Sequence, residues 1–411
     1  MTKGRTVAVV GVGRVGLPLC LSLAEAGHTV HGIDVDPARI ETVREGRMPF
    51  LEVGAEPLLK RHAGKRFLPT TDFAVAAKAD DLILTIGTPV DEHMNPIFSQ
   101  LERAVEALLP HLRAGHAIFL RSTVSPGTTN WLRRHLETRT KLKVGRDLAL
   151  AFCPERIAEG KAIEELPKIP QIVGADDDLS RTRARALFAT VTPEAQETDS
   201  VSAELSKLFT NMYRYIDFAI ANEFMMIAQD HNREIYPILS LVNRGYARGG
   251  LKSPGLTGGP CLFKDGFFLV SRTPYAELIS LAWKVNETTP AFLIERLKRQ
   301  RPLEGCAVAL LGLAFKKNID DTRNSLSCKA RKLFLQEGCT VRSHDPFLPG
   351  PAVEEALRGA DVVFLAMNHD AYRDLDWKAA ARLVAPDALF CDVWNLLGTG
   401  RILFPGEALL Q

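Results

Sequence analysis

The sequence predicts an α/β protein: two Rossmann-like doubly wound domains joined by a long central helix and a helical middle domain. Three observations lead there. Short apolar runs alternate with helical stretches at the start of the chain, the same order of signals returns near its end, and a long stretch with few breakers lies between.

Thr6 to Val10 is apolar and β-branched, as a buried parallel strand requires. A glycine-rich turn follows, then helical spacing from Leu17 to Ala26 with Gly27 as its stop. Thr29 to Ile33 reads as a second strand ending at Asp34, Leu82 to Ile86 as a third and Ala117 to Leu120 as a fourth. Late in the chain, Val308 to Leu311 leads into Gly312, a helix is expected over Leu326 to Gln336, and Thr340 to Ser343 ends at Asp345. Asp361 to Ala366 and Leu389 to Val393 read as further strands. HTVHGIDVD in the early half answers CTVRSHDP in the late half, and ADDLILTI answers ADVVFLAM, so the two ends read as related domains. Between them, Ser200 to Arg233 has a strong helical period. Asp230 to Tyr275, rich in Gly, Pro and Arg, reads as loops lining a site, and Ala276 to Gln300 as helix broken at Pro290.

A chain of 411 residues is long enough for two or three domains. Its apolar content of 46% and charged content of 24% are those of a globular enzyme. The net charge of +2 gives no reason to expect nucleic acid or an anionic membrane surface as partner. No apolar run approaches the roughly 20 residues that a membrane helix needs. Met1 to Arg5 runs straight into a strand with no signal-peptide pattern, so the expected location is cytoplasmic. The seven cysteines are odd in number and scattered without a CxxC pair, which speaks against a disulfide framework and against a zinc site.

The chemistry-bearing motifs sit at the turns. Gly11-Val12-Gly13-Arg14-Val15-Gly16 is G-x-G-x-x-G between an expected strand and an expected helix, the dinucleotide-binding arrangement. Asp34 at the end of the second strand suits the ribose hydroxyls of NAD and would repel the 2′-phosphate of NADP, with Arg39 close by in sequence. Thr88 and Thr123 follow the third and fourth strands, where open α/β sheets bind ligands, although a turn hydroxyl is as common there. Glu155 follows the apolar stretch Leu148 to Phe152 and suits a general base or a water-holding group; alone, a surface glutamate is the commoner case. Glu204, Lys207 and Asn211 share one face of the central helix. Gly258-Gly259-Pro260-Cys261-Leu262-Phe263-Lys264-Asp265 places a cysteine in a glycine loop beside a cation, which favours the reactive thiolate; a lone cysteine in a turn is more often structural.

The order VAVVGVGRVGLPL, GIDVD, IGTPVDEHMNP, RSTVSPGTT, CPERIAEGKA, AELSKLFTNMYRYIDFAIANEF, GGPCLFKD and GLAFKKNIDDTRNS resembles the UDP-glucose/GDP-mannose dehydrogenase family over essentially the whole chain. The resemblance implies an NAD-dependent, two-step oxidation of a UDP-sugar C6 hydroxyl to the uronic acid by a homodimer. It implies an NAD-binding domain over 1–195, a central helical domain for dimerisation and catalysis over 196–298, and a UDP-sugar-binding domain over 299–411. By the same implication Cys261 is the covalent nucleophile, Lys207 and Asn211 stabilise the reacting oxygen, Asp265 assists proton handling, and Glu155 and Thr123 orient water. Gly11, Val12, Gly13, Arg14, Val15, Gly16, Asp34, Arg39, Thr88, Thr123 and Arg323 become the expected NAD contacts. Glu155, Lys207, Asn211, Arg244, Gly258 and Lys316 become the expected sugar-nucleotide contacts, Arg244 across a dimer interface.

The family often has Ser or His immediately before the cysteine and Pro two residues after it, where this chain has Pro260 and Phe263. IGTPVDEHMNP and PERIAEGKA resemble the branch that acts on UDP-N-acetylhexosamines; the Lys264-Asp265 ending resembles the UDP-glucose branch. Two other readings stay open from the sequence: a one-step β-hydroxyacid dehydrogenase, which needs neither Cys261 nor a second Rossmann-like domain, and a non-catalytic NAD-binding protein.

Overall fold

In a computed structural model the described residues are 4–271, 273 and 275–410. Met1 to Lys3, part of the stretch expected to lack a leader, lie outside them, as do Arg272 and Pro274 of the stretch expected as loops. The chain forms two units, Met1–Thr210 with Phe267–Arg272, and Asn211–Gly266 with Thr273–Gln411.

The first unit is built on eight strands: β1 Thr6–Val10, β2 Thr29–Ile33, β3 Phe67–Thr70, β4 Asp81–Leu84, β5 Ala117–Leu120, β6 Ala149–Phe152, β7 Gln171–Gly174 and β8 Ala195–Thr198. Their order is β3-β2-β1-β4-β5-β6-β7-β8. Neighbours are parallel apart from β6 and β7, which meet antiparallel. The order reverses between β1 and β4, the switch point where such sheets bind ligands. The expected third strand is shifted, ending at Leu84 rather than Ile86. The strand β3 carries Pro69 and pairs only with β2, an edge position that a residue without an N–H tolerates. Helix Gly16–Glu25 buries eight of its residues, and each Leu so buried stabilises by about 1.5–3 kcal/mol.

The second unit holds β9 Ala307–Leu311, β10 Thr340–His344, β11 Val362–Leu365, β12 Leu389–Cys391 and β13 Leu403–Pro405, ordered β10-β9-β11-β12-β13 with only the last pair antiparallel. One face packs Leu310 and Phe364 against Leu293, Ile294, Leu297 and Phe334. The other face packs Leu311, Leu365 and Phe390 against Leu357 and Tyr372.

The internal repeat is visible bond by bond. Gly11 N–H donates to Ile33 O at 2.7 Å, and Gly312 N–H to His344 O at 2.8 Å. Asp34 Oδ2 accepts from Val12 N–H at 2.7 Å, and Asp345 Oδ2 from Leu313 N–H at 2.7 Å. At the opposite strand ends, Asp80 accepts from Thr6 N–H at 3.0 Å and Asp361 from Ala307 N–H at 2.8 Å. A carboxylate after the second strand of each unit holds the turn after the first; a carboxylate before the strand on the first strand's other side, β4 or β11, anchors the first strand's start.

Helix Ser200–Asp230 begins in the first unit and ends in the second. Two expectations need correction. The stretch from Asp230 to Tyr275 contains helices Ile235–Asn243, Leu262–Asp265 and Phe267–Val270 rather than loops throughout, the first anchored by buried Ile235 and Leu239. Helix Glu277–Lys298 is not broken at Pro290. Proline removes one N–H donor, but Leu293, Ile294 and Leu297 behind it are buried in the second unit's core and hold the helix through. Around that point Thr289 Oγ1 donates to Val285 O at 3.0 Å and Thr288 Oγ1 to Lys284 O at 2.9 Å.

Candidate active site

In the first unit the expected nucleotide groups gather at the carboxyl ends of β1, β2, β4, β5 and β6. The glycine turn has the shape that a dinucleotide needs. A Cβ on Gly16 would collide with the Gly11 carbonyl and approach Thr85 Oγ1, so only glycine lets the helix start this close to the strand. A Cβ at Gly13 would meet nothing within 4 Å, which leaves the backbone open to a pyrophosphate. Asp34, 7% exposed, follows β2 with its carboxylate turned toward this turn, accepting from Val12 N–H at 2.7 Å and Asp36 N–H at 3.0 Å. Arg39 Nη1 donates to Asp34 Oδ2 at 3.1 Å and is therefore held beside that carboxylate. The Arg14 guanidinium pairs with Glu159 at 3.0 Å and lies over the Phe50 ring, while Val12 and Val15 stand in the turn backbone.

Thr88 and Thr123 are joined directly: the Thr88 hydroxyl donates to Thr123 O at 2.6 Å, tying the turn after β4 to the turn after β5. Glu155 lies three residues after β6, and its carboxylate turns inward. Oε1 accepts from Arg156 N–H at 2.7 Å and Ile157 N–H at 3.0 Å, and Oε2 pairs with the buried Arg121 guanidinium. Sequence reasoning missed Arg121. Its signal was a charged residue directly after the wholly apolar strand Ala117–Leu120, where an arginine needs buried partners. Glu204 is corrected: its carboxylate does not join Lys207 and Asn211 but binds Gly127 N–H at 2.6 Å and Thr129 N–H at 2.8 Å. It caps the start of helix Thr128–Arg139, and burial raises its carboxyl above the usual range.

In the second unit, Cys261 begins helix Leu262–Asp265, and its carbonyl accepts from Lys264 and Asp265 N–H at 3.2 and 3.0 Å. Asp265 is fully buried; Oδ2 accepts from Asn211 Nδ2 at 2.6 Å and Oδ1 from Lys264 Nζ at 2.6 Å. The Lys264 ammonium expected to favour a thiolate is thus engaged with Asp265. Asn211 is 5% exposed, and Lys207 lies one helical turn before it on the same helix. Gly259 has φ +100° and a Cβ there would collide with the Phe315 ring, while its N–H donates to Asn324 O at 3.0 Å. Gly258 packs on Asn324 likewise, so the cysteine loop rests on the segment that carries Lys316 and Arg323. Arg323 grips Asp321 through Nε at 2.9 and 3.0 Å, and Arg244 is exposed just past helix Ile235–Asn243. Phe263 stands against Trp283 with ring centroids 6.2 Å apart, within aromatic pairing range.

The cysteines divide clearly by exposure. Cys20, Cys153, Cys306, Cys339 and Cys391 are buried and Cys328 is half-buried; Cys261 is exposed. Burial pushes the Cys153 thiol up to about 12 and the Cys339 thiol up to about 11, which makes both poor nucleophiles near neutrality. Among the described residues no group of three or more His, Cys, Asp or Glu is placed to hold a metal ion, and no helix is long and apolar enough to cross a membrane.

A glycine turn with its backbone open at Gly13 and its Val12 N–H bound by the Asp34 carboxylate is the arrangement of a dinucleotide-binding domain, and the class is an NAD-dependent dehydrogenase. The UDP-glucose/GDP-mannose dehydrogenase family matches in three parts: its NAD binding domain over residues 5–192, its central domain over 201–288 and its UDP binding domain over 309–399. The chain is 31% identical over 385 residues to the UDP-N-acetyl-D-mannosamine dehydrogenase of Methanocaldococcus jannaschii, covering 91% of this chain and 88% of that one. It is 30% identical over 394 residues to an NDP-N-acetyl-D-galactosaminuronic acid dehydrogenase of Ralstonia nicotianae, covering 90% and 92%. The solved structure of UDP-D-ManNAc dehydrogenase from Pyrococcus horikoshii superposes with a TM-score of 0.87 at 29% identity, covering 92% of this chain and 93% of that one. The chain belongs to the UDP-glucose/GDP-mannose dehydrogenase family and is an NAD-dependent nucleotide-sugar dehydrogenase.

Proposed function

We propose that this dehydrogenase oxidises the C6 hydroxyl of a UDP-N-acetylhexosamine to the uronic acid in two steps, with Cys261 as the covalent nucleophile. The reading rests on the exposed Cys261 thiol at the head of a short helix whose buried Asp265 carboxylate binds both Asn211 and Lys264. The N-acetylated sugars in the names of the relatives favour that substrate class over UDP-glucose.

Bound NAD supplies the hydride acceptor for both oxidations, and the glycine turn, Asp34, Arg39, Thr88, Thr123 and Arg323 would hold it. Lys207 and Asn211 stabilise the C6 oxygen while it carries charge. Asn211 spends one amide hydrogen on Asp265 and keeps its other hydrogen and its carbonyl oxygen for substrate. Asp265 thereby orients Asn211. The Cys261 thiolate adds to the C6 aldehyde and retains it as a thiohemiacetal, whose oxidation leaves a thioester. Thr123 and Glu155 orient the water that releases the acid. Gly258, Lys316 and Arg244 bind the nucleotide sugar. The matching division is an NAD-binding domain over 1–195, a central domain over 196–298 and a UDP-sugar-binding domain over 299–411.

The test is a panel of UDP-N-acetylmannosamine, UDP-N-acetylglucosamine, UDP-N-acetylgalactosamine, UDP-glucose and GDP-mannose, read as NADH formed per sugar consumed. Two NADH per sugar with a UDP-N-acetylhexosamine is the expected result. One per sugar would exclude the two-step oxidation, and none with any of the five would exclude this substrate class.

The enzyme acts as a homodimer in the cytoplasm in this reading. Phe209, Tyr213, Ile220, Phe224 and Ile227 are exposed along the central helix at i, i+4, i+11, i+15 and i+18, one apolar stripe of the kind a second subunit covers. Light scattering is expected to give the mass of two chains, and Tyr213→Glu with Phe224→Glu the mass of one; a monomeric wild-type chain would exclude the dimer.

A further inference from the structure

The Arg121 side chain is 1% exposed, and a guanidinium taken that far from water depends on partners within the protein, here at Nη1 and Nη2. Its partners converge on one turn. Nη1 donates to Cys153 O at 3.1 Å and to Gln171 Oε1 at 2.8 Å; Nη2 pairs with Glu155 Oε2; the Phe188 ring lies 5.1 Å from the guanidinium carbon. Gln171 in turn donates from Nε2 to Pro154 O at 3.1 Å. Arg121 and its partner Gln171 thus bind the two carbonyls that precede Glu155, while the Glu155 carboxylate binds the two N–H groups that follow it.

A carboxylate offers about four acceptor positions. Two on Oε1 are taken by Arg156 and Ile157 N–H, and one on Oε2 by Arg121. One position on Oε2 remains, and its direction is set by the Arg121 fork. We propose that Arg121 is a positioning residue for the hydrolytic half of the reaction: it holds the Glu155 carboxylate in place with a single acceptor position aimed at one water. This rests on the reading of Glu155 given under Proposed function. In the step concerned, water adds to the C6 carbonyl of the thioester and the C6–S bond breaks. The products are the carboxylate and the Cys261 thiol, with the second proton passing to solvent.

Arginine is specific for this task. A lysine keeps the charge, but its compact ammonium has no planar fork to hold Cys153 O, Gln171 and Glu155 together. The experiment compares wild type, Glu155→Gln, Arg121→Lys and Arg121→Gln, each with UDP-N-acetylmannosamine and NAD. Intact-protein mass spectrometry reports the sugar-nucleotide acyl adduct on Cys261, stopped-flow absorbance reports the NADH burst, and circular dichroism reports folding. Glu155→Gln accumulates the adduct. Arg121→Lys accumulates it too, with steady-state turnover reduced roughly tenfold or more, the burst amplitude retained and the adduct absent from wild type. Arg121→Gln, which leaves the Glu155 carboxylate buried without its cation, shows the same adduct or loses the fold; because Arg121→Lys keeps the charge, it decides the matter if Arg121→Gln does not fold. A folded Arg121→Lys enzyme that slows every step alike and carries no adduct, beside a Glu155→Gln enzyme that does carry it, overturns the inference and leaves the role of Glu155 standing. No adduct in Glu155→Gln itself overturns the reading of Glu155.

Discussion

Replacing Cys261 by alanine is expected to abolish uronic acid formation, lowering it roughly a thousandfold or more, while NAD still binds. The loss is expected to be chemical. Cys261 is exposed, so removing its sulfur opens no buried cavity, and the melting temperature should stay near that of wild type. The glycine turn and Asp34 belong to the first unit and Cys261 to the second, so the substitution leaves the nucleotide-binding backbone as it is. Product analysis by chromatography with NADH counting makes the check. Acid formed by the alanine variant at the wild-type rate would show that no thioester is needed.

The second large effect concerns the cofactor. Asp34→Ala is expected to weaken NAD binding by roughly 10- to 100-fold, the scale of losing a charged hydrogen bond to the ribose. Two local consequences add to it. Val12 N–H loses its 2.7 Å acceptor, which loosens the turn that receives the pyrophosphate. Arg39, now 3.1 Å from Asp34 Oδ2 and 3.6 Å from Asp36, loses its nearer counter-ion and becomes available to a 2′-phosphate. The ratio of kcat/KM for NAD over NADP should therefore fall. An unchanged ratio would mean that the carboxylate does not set the preference.

Much of the fold was legible because its signals are local. Buried parallel strands are continuous apolar runs, and β5 Ala117–Leu120 and helix Leu326–Gln336 fall where the pattern puts them. The twofold occurrence of strand, turn, helix and acid was legible as text, and the matched bonds from Asp34 and Asp345 give its physical content. The strands β3, β7, β8 and β13 were not legible. β8 reads Ala-Gln-Glu-Thr with no buried residue, and β3 contains proline, so both are strands because a neighbour offers them a ladder. Pro290 misled for the opposite reason: a local breaker was outweighed by buried Leu293, Ile294 and Leu297, contacts that lie far away in sequence.

The site divides the same way. Residue type and spacing singled out the glycine turn and Asp34 as candidates, because a tight turn and a close backbone approach demand glycine at particular offsets, whereas the cysteine loop stood out from an ordinary structural turn only through the family resemblance. The partner of each charge was decided by tertiary structure. Helical spacing put Glu204 with Lys207 and Asn211, yet its carboxylate caps a helix through the donors Gly127 and Thr129, 77 and 75 positions earlier in sequence. Asp265 binds Asn211 across 54 positions and Arg121 binds Glu155 across 34. A buried charge takes whichever partner the packed chain brings within about 3 Å, and that distance is a property of the fold and not of neighbouring letters.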